Sequence, residues 1–149
     1  MKRITLTLLT IFFCQAAFCQ NNSEEIAIKQ LLEKESYTWR QSDLAAHASC
    51  WAIRPYSKIV ISTTEGKSFE VPIEYIVNPP VDKMGDGGTS SNSNYVFSIH
   101  GDQAWVYHDE VSISKDGKKA YSHEIRFLEK EKGDWKLVGQ TIHSYIPSK

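Results

Sequence analysis

The sequence is poor in cysteine. Three of its 149 residues are cysteines, and Cys14 and Cys19 lie in an apolar N-terminal stretch. The remaining chain therefore has only Cys50, and one cysteine cannot form an intrachain disulfide. The neighbouring residues Ser49 and Trp51 carry no positive charge to stabilise a thiolate. We therefore expect a domain held together by packing, with Cys50 as a small core residue rather than a nucleophile.

An excess of positive charge is also absent. Seventeen Lys and Arg residues stand against 18 Asp and Glu residues, which gives a formal net charge of −1. Domains that bind nucleic acid normally carry a clustered basic surface. We therefore expect no nucleic-acid partner.

Motifs for metals and phosphates are missing as well. The five histidines form neither a His-x-His nor a His-Glu-x-x-His pattern. The run Asp82–Gly87 is similar to the start of a calcium loop, but Met84 and Ser93 occupy its third and twelfth positions, which require other ligands. The run Gly85–Ser90 lacks the lysine of a phosphate-binding loop. We expect no metal and no cofactor.

The N-terminal residues have the pattern of a secretory signal peptide. Met1–Arg3 is basic, Ile4–Phe13 is apolar apart from threonine, and Ala17–Cys19 places small residues where a signal peptidase reads them. The apolar run is too short to span about 30 Å of hydrocarbon, and Phe18 is too bulky to precede a lipidated cysteine. We predict a signal peptide over residues 1–19 and a single mature domain over 20–149. We expect that domain to be exported, periplasmic or secreted, without a stable membrane anchor.

Two helices are predicted at the start of the mature chain. Asn22–Glu25 has the form of a capping box, and the residues that follow it repeat at helical spacing on one face: Ile28, Leu31, Leu32, Glu35 and Trp39. This pattern predicts a helix over Ser23–Arg40. Ser42-Asp43 caps a second, shorter helix, in which Leu44, His47, Ala48 and Trp51 share a face.

The rest of the chain alternates strands and turns. Ser57–Thr64 reads as a strand, Ser68–Val77 is ambiguous and fits a short helix with Pro72 in its first turn, and Val81–Asn94 reads as one long loop, either a lid or a disordered segment. Four later segments are predicted to be strands of a meander: Tyr95–His100, Gln103–Ser114, Lys119–Glu131 and Trp135–Ile146. The fold class is therefore α+β.

The closing segments resemble a known superfamily. Ala104–Val106, Glu124–Lys130 and Gly133–Val138 are similar to the strands that end nuclear transport factor 2-like (SnoaL-like) domains. The resemblance implies a cone in which N-terminal helices pack on a curved, mostly antiparallel sheet. This superfamily includes enzymes, binding modules and dimerisation domains, and we expect a homodimer. Gly139 and Thr141 stand where one branch of the superfamily carries histidines.

The Asp116-Gly117 pair predicts which residues face the inside of the cone. A two-residue hairpin turn there puts Lys115 opposite Lys118 and Tyr107 opposite Arg126. The resemblance places Arg126 inside the cone. Because side chains alternate along strands, the predicted concave set is Trp105, Tyr107, Asp109, Glu124, Arg126, Thr141, His143 and Tyr145. The predicted convex set is His108, Glu110 and His123.

Two functions remain open from these residues. The first is a domain that binds a small organic molecule, with Arg126 clamping an anionic group and Tyr107 and Trp105 stacking on a flat ligand. The alternative is a SnoaL-like isomerase, cyclase or hydrolase that uses Asp109 or His143 as general base. A third possibility is a cone filled by its own side chains. We favour the first.

Overall fold

The computed structural model describes residues 23–85 and 87–148. The predicted signal peptide and the Asn22 cap lie outside the described residues. Within the described ranges, every helix is too short or too polar to cross a bilayer.

Two N-terminal helices form where the apolar spacing predicts them. Helix α1 covers residues 23–40, and it buries Ile28 and Leu32 completely. Helix α2, Leu44–Ala48, begins after Asp43, whose side chain accepts a hydrogen bond from the backbone N–H of Ala46. An aspartate in this position satisfies one of the free N–H groups of a helix start. The helix predicted over Ser23–Arg40 is confirmed, and the second helix begins where Asp43 predicts, but it ends at Ala48, so Trp51 lies beyond it.

The segment after the first strand divides into two elements. Its first half pairs with β1, Lys58–Ser62, as the strand β2, Ser68–Pro72, and its second half forms the helix α3, Ile73–Val77. Pro72 has φ −70° and ψ 157°, so it ends the strand and precedes the helix. The single short helix considered for Ser68–Val77 is therefore wrong for its first five residues.

A six-stranded sheet makes up the remainder. Its strands are β1 Lys58–Ser62, β2, β3 Thr89–His100, β4 Gln103–Ile113, β5 Lys119–Glu131 and β6 Asp134–Tyr145, in the spatial order β2-β1-β6-β5-β4-β3. All neighbours are antiparallel except β1 and β6. The predicted α+β class, with N-terminal helices on a mostly antiparallel sheet, is confirmed.

The long loop predicted over Val81–Asn94 is wrong in most of its length. Val81–Lys83 forms a 3₁₀ turn, and β3 already begins at Thr89. The polar residues of this part of β3 pair with β4 as far as Thr89 opposite Ile113. Pairing with a neighbouring strand satisfies their backbone groups, so a strand forms despite the low hydrophobicity.

The turn between β4 and β5 has three residues, not two. Ser114 pairs with Lys118 through its backbone N–H, and Gly117 donates to the carbonyl of Ser114. A two-residue turn of the predicted type needs positive φ at both central residues, but of Asp116 and Gly117 only Gly117 has it, at 82°. The extra residue shifts the pairing by one position and exchanges the faces of one strand relative to the other.

A bulge makes a second shift, between β5 and β6. Phe127 lies opposite Gly139 and Leu128 opposite Leu137, so Val138 is the extra residue. Beyond the bulge the alternation of β6 is reversed, which turns Gln140 toward the helices and Thr141 away from them. The inward direction predicted for Thr141 and the residues of its parity is therefore wrong.

The core lies between the helices and the concave face of the sheet. Its fully buried members come from α1, the segment after α2, α3 and three strands of the sheet: Ile28, Leu32, Cys50, Ile76, Val106, Leu128 and Leu137. Trp51 extends this packing through an isolated parallel bridge to Leu137. This core closes one end of the cone and leaves the other end available for a cavity.

Candidate functional site

A cavity of about 340 Å³ occupies the open end of the cone. Its apolar wall comes from both helical and strand elements: Trp39, Ile59, Ile61, Val71, Tyr75, Ile76 and Ile142. Its polar wall includes Glu35, Arg40, His47, Glu110, Glu124, Arg126 and Gln140. Tyr75 is 58% exposed, which puts it at the mouth. Pockets of this size and mixed lining are typical of small-ligand sites.

Arg126 lies at the centre of the polar wall. Its Nη1 donates to Glu35 Oε2 at 2.9 Å, and its Nη2 lies 2.6 Å from Glu124 Oε2. Glu124 accepts two further hydrogen bonds, from Ser122 Oγ at 2.9 Å and from Gln140 Nε2 at 3.0 Å. The guanidinium therefore joins α1 to the sheet and has both terminal nitrogens occupied.

Burial opposes the charges of this cluster. It raises the pKa of the Glu124 carboxyl above its ordinary value, against the opposing effect of Arg126. Burial also works against the charge on Arg126, but Glu124, Glu35 and Glu110 together raise the pKa of its guanidinium. Arg126 therefore stays a cation, and its charge is balanced inside the protein rather than by solvent.

Two buried histidines accompany the carboxylates. His47 Nδ1 lies 3.3 Å from the carbonyl oxygen of Glu35 and 3.7 Å from Glu35 Oε1. His108 is fully buried behind the cavity, with its Nε2 3.7 Å from Glu124 Oε2. Desolvation, assisted by Arg126, lowers the pKa of His108 to about 4, so His108 is neutral near pH 7.

A second ion pair holds the side of the cavity. Arg40 Nη2 donates to Glu110 Oε1 at 2.6 Å, and Ser36 Oγ donates to Glu110 Oε2 at 3.0 Å. Burial by itself would raise the pKa of Glu110, but the Arg40 and Arg126 guanidiniums and these hydrogen bonds hold it below its usual value. Glu110 is therefore an ionised, fully engaged carboxylate.

Only two of the predicted pocket residues line this cavity. Glu124 and Arg126 do so, as the resemblance implies for Arg126. The others lie on the outer face of the sheet: Trp105, Tyr107, Asp109, Thr141, His143 and Tyr145. The cause is the three-residue turn, which places Tyr107 opposite Ile125 and Asp109 opposite His123, together with the bulge at Val138. His108 and Glu110, predicted on the convex side, are buried inside instead.

The outer face carries a polar cluster of its own. Asp109 Oδ1 lies 2.6 Å from His123 Nδ1 and accepts a hydrogen bond from the Tyr107 hydroxyl at 2.7 Å, while Asn94 Nδ2 donates to Oδ2 at 2.6 Å. The bond from Asn94, followed by that from Tyr107, lowers the pKa of Asp109 to about 2. The ring of Tyr145 stacks on His123 with centroids 4.3 Å apart.

An apolar groove lies beside this cluster on the same face. It has a volume of about 500 Å³, and Trp105 and Phe127, on adjacent strands, form part of its lining. Their exposed fractions are 41% and 43%. Lys58 and Glu129 place opposite charges along the groove.

Sequence reasoning missed most of the polar wall. Glu35 and His47 lie on the apolar faces of their helices, and a polar side chain in such a stripe indicates a buried partner. The sequence holds no such signal for Gln140, His108 or Glu110. The face of the sheet toward which each of them points depends on the strand register.

Among residues 23–85 and 87–148, no group of three or more His, Cys, Asp or Glu side chains is arranged to hold a metal ion.

Comparison with known proteins identifies the fold. No protein-family model matches the chain, and no curated protein matches it. A nuclear transport factor 2-like protein with a cystatin-like fold from Novosphingobium aromaticivorans is 14% identical, with 90% of each chain covered and a TM-score of 0.65. A protein of unknown function with a cystatin-like fold from Nostoc punctiforme is 13% identical, with 81% of this chain and 90% of that chain covered and a TM-score of 0.64.

A nuclear transport factor 2-like protein from Cytophaga hutchinsonii is 14% identical, with 81% of this chain and 98% of that chain covered and a TM-score of 0.62. The protein described here therefore has the nuclear transport factor 2-like fold, as the resemblance predicts. At such identities the likeness concerns the fold and not the activity.

Proposed function

We propose that this protein is an exported domain that binds a small organic molecule in the cavity of its cone. One observation carries the proposal: the cone holds a cavity of about 340 Å³ whose wall is apolar on one side and carries the buried ion pairs of Arg126 on the other. Pockets that combine a mostly apolar lining with a few fixed polar groups are typical of small-molecule sites.

The charges of the cavity favour binding over a reaction at the predicted bases. Asp109 and His143 lie on the outer face, so neither reaches a molecule in the cavity. Inside, Glu124 and Glu35 are both already bonded to Arg126. Burial raises the pKa of Glu124 despite this contact. Both oxygens of its carboxylate are nevertheless engaged by Ser122, Gln140 and Arg126, which gives the carboxylate a structural role in the cavity wall.

Filling the cavity tests the proposal. Ile142→Trp places an indole in the cavity, whereas His143→Trp places it on the outer face of the same strand. The probe is N-phenyl-1-naphthylamine, a neutral dye whose fluorescence rises in apolar surroundings. We expect saturable binding to the unmodified protein and to His143→Trp, and at least tenfold weaker binding to Ile142→Trp. Equal binding by both variants would place the dye elsewhere and count against the proposal.

Export is a separate part of the proposal and has its own test. It is supported by the basic start, the short apolar run and the small residues at Ala17 and Cys19. Fractionation of the native host, followed by mass measurement of the intact protein, should find a chain outside the cytoplasm that begins at Gln20. A cytoplasmic protein that keeps Lys2 and Arg3 would refute export.

The partner that we propose for the outer face is a second copy of the chain. The exposed rings of Trp105 and Phe127 form an apolar centre, which a two-fold symmetric contact would cover from both sides. Lys58 and Glu129 lie along the same groove, but each is already paired within the chain, with Glu70 and Arg54, so the contact would depend on its apolar centre. Without Lys2 and Arg3 of the predicted signal peptide, 15 Lys and Arg residues stand against 18 Asp and Glu residues, and this small net charge adds little repulsion between copies.

A further inference from the structure

Two histidines that are far apart in the sequence lie side by side on the outer face of the sheet. His123 in β5 and His143 in β6 are directly opposite each other in the antiparallel pairing of these strands. The shift in that pairing comes later, between Phe127 and Leu128, so the register around the histidines is continuous. Directly opposite side chains share a face, with Cβ atoms roughly 4.5–5.5 Å apart. The two imidazoles are therefore close enough to share one ligand.

The hydrogen bonds of His123 decide which of its ring nitrogens is free. Its Nδ1 lies 2.6 Å from Asp109 Oδ1. Hydrogen bonds from Asn94 and Tyr107 lower the pKa of Asp109 to about 2, so this carboxylate is ionised near neutral pH. An ionised carboxylate only accepts hydrogen bonds, so Nδ1 carries a proton whether the ring is neutral or charged. Nε2 is therefore the nitrogen whose lone pair is available to a ligand.

The ring of His123 is held on one edge and on one face. Asp109 holds the edge, and Tyr145 stacks on the face with the two ring planes 8° apart. The side chain of His123 nevertheless remains 42% exposed, and His143 is exposed as well. A ligand from solvent can therefore reach both imidazoles, and one of them is already oriented.

A carboxylate bonded to one ring nitrogen commonly supports a histidine that binds a metal through the other nitrogen. The contact fixes the tautomer and the ring orientation, and it makes the ligand nitrogen more basic. Imidazole is a good ligand for Zn²⁺, Cu²⁺ and Ni²⁺, whereas Mg²⁺ and Ca²⁺ prefer oxygen ligands. The negative charge of Asp109 beside the ring also favours a cation at this place.

We propose that His123 and His143 bind one divalent transition-metal ion, with His123 Nε2 and the imidazole of His143 as its two protein ligands. Water supplies the remaining ligands, since residues 23–85 and 87–148 contain no metal-binding group of three His, Cys, Asp or Glu side chains. Asp109 is a positioning residue for His123. Sequence motifs gave no sign of this site, because its two ligands are on different strands and only the β5–β6 register joins them.

The site is independent of the ligand of the cavity, which lies on the other face of the sheet. Both histidines also lie outside the lining of the groove that we propose as the dimer contact. The inference therefore adds a second binding site to the proposed function and does not rest on it.

Titration with metal ions tests the site. In isothermal titration calorimetry near neutral pH, we expect one Zn²⁺ per chain, tighter binding of Cu²⁺ and no detectable binding of Mg²⁺. His123→Gln and His143→Gln each leave a single imidazole at the site, so each should weaken Zn²⁺ binding by about tenfold or more. His100→Gln, which changes another exposed histidine, is the control and should keep the affinity.

Histidine resonances show which nitrogens take the metal. In protein labelled with ¹⁵N-histidine, Zn²⁺ should shift Nε2 of His123 together with one ring nitrogen of His143, and it should leave His100 unchanged. Asp109→Ala removes the partner of Nδ1, so the metal-free protein should show mixed tautomers at His123, and Zn²⁺ binding should weaken by roughly 10–100-fold. Asp102→Ala, at an exposed aspartate in the β3–β4 turn, should change neither property.

Several outcomes would overturn the inference. It is wrong if the unmodified protein binds neither Zn²⁺ nor Cu²⁺, or if His100→Gln weakens binding as much as His143→Gln does. Unchanged affinity in either ligand variant would also refute it, and so would half an ion per chain, which would indicate a site shared between two copies. The dye titration of the cavity has a separate readout, so the proposed function can stand where this inference fails.

Discussion

The guanidinium of Arg126 and the carboxylate of Glu35 meet 2.9 Å apart across 91 positions of the sequence, and they join the floor of the sheet to α1. Arg126 is 2% exposed and Glu35 is 5% exposed. Removal of Arg126 would leave two buried carboxylates without their shared partner, whereas removal of Glu35 would leave Arg126 paired with Glu124.

Removing the cation should therefore be costly. In Arg126→Met, Glu35 and Glu124 lose their shared partner, and we expect the free energy of unfolding to fall by about 3–5 kcal/mol. Urea denaturation monitored by tryptophan fluorescence measures the loss. Glu33→Gln, at an exposed position on the same helix, is the control and should change stability by less than about 0.5 kcal/mol. A loss of similar size in both variants would contradict this account of the triad.

His108 should make stability depend on pH. Its pKa in the folded protein is about 4, lowered from the ordinary 6.5 by burial and by Arg126. The unfolded chain therefore binds the proton more tightly, so the stabilising contribution is complete above about pH 6.5 and is lost as the pH falls toward 4. The shift corresponds to about 3 kcal/mol at most.

Denaturation curves between pH 4 and pH 7.5 test this dependence. His108→Leu should lose less stability over that interval than the unmodified protein does, because leucine has no proton to bind. His100→Leu, which changes an exposed histidine, should keep the full slope. A His108→Leu curve parallel to that of the unmodified protein would show that another group produces the dependence.

Two glycines should respond differently to alanine. Gly117 has φ 82° in the β4–β5 turn, and an added Cβ there would meet no atom within 4 Å. Alanine at this position therefore costs only the strain of a left-handed backbone conformation, roughly 1–2 kcal/mol. Gly88 has φ 94°, and its Cβ would overlap the carbonyl oxygen of Ile113. Gly88→Ala should be clearly more destabilising than Gly117→Ala in thermal denaturation, and the reverse order would contradict the placement of Gly88 against β4.

The outer face should control association. Trp105→Lys puts a charge at the centre of the apolar groove, and we expect it to weaken dimerisation by about tenfold or more, as for a central interface aromatic. Sedimentation velocity over a range of concentrations measures the effect. Tyr37→Lys changes an aromatic ring on α1 that is 64% exposed, and it should leave association unchanged. An unmodified protein that sediments as a monomer throughout would refute the proposed dimer.

Local pattern was enough to predict most of the secondary structure. The repeat of Ile28, Leu32 and their neighbours predicts α1, Asp43 predicts the start of α2, and the limits predicted for β5 agree with Lys119–Glu131. Helical spacing, capping and strand alternation depend on residues a few positions apart, so they can be read from the sequence. The resemblance in the last strands added the fold and the inward direction of Arg126.

The tertiary structure alone decided which side chains enter the cavity. The direction of Tyr107 and His108 relative to Arg126 depends on whether the turn at Gly117 has two residues or three, and that of Thr141 depends on one extra residue at Val138. Because side chains alternate with a period of two, a single added residue exchanges the faces of a whole strand. The pairing between strands decides how many residues the turn and the bulge contain. These numbers cannot be read from the periodicity of the sequence.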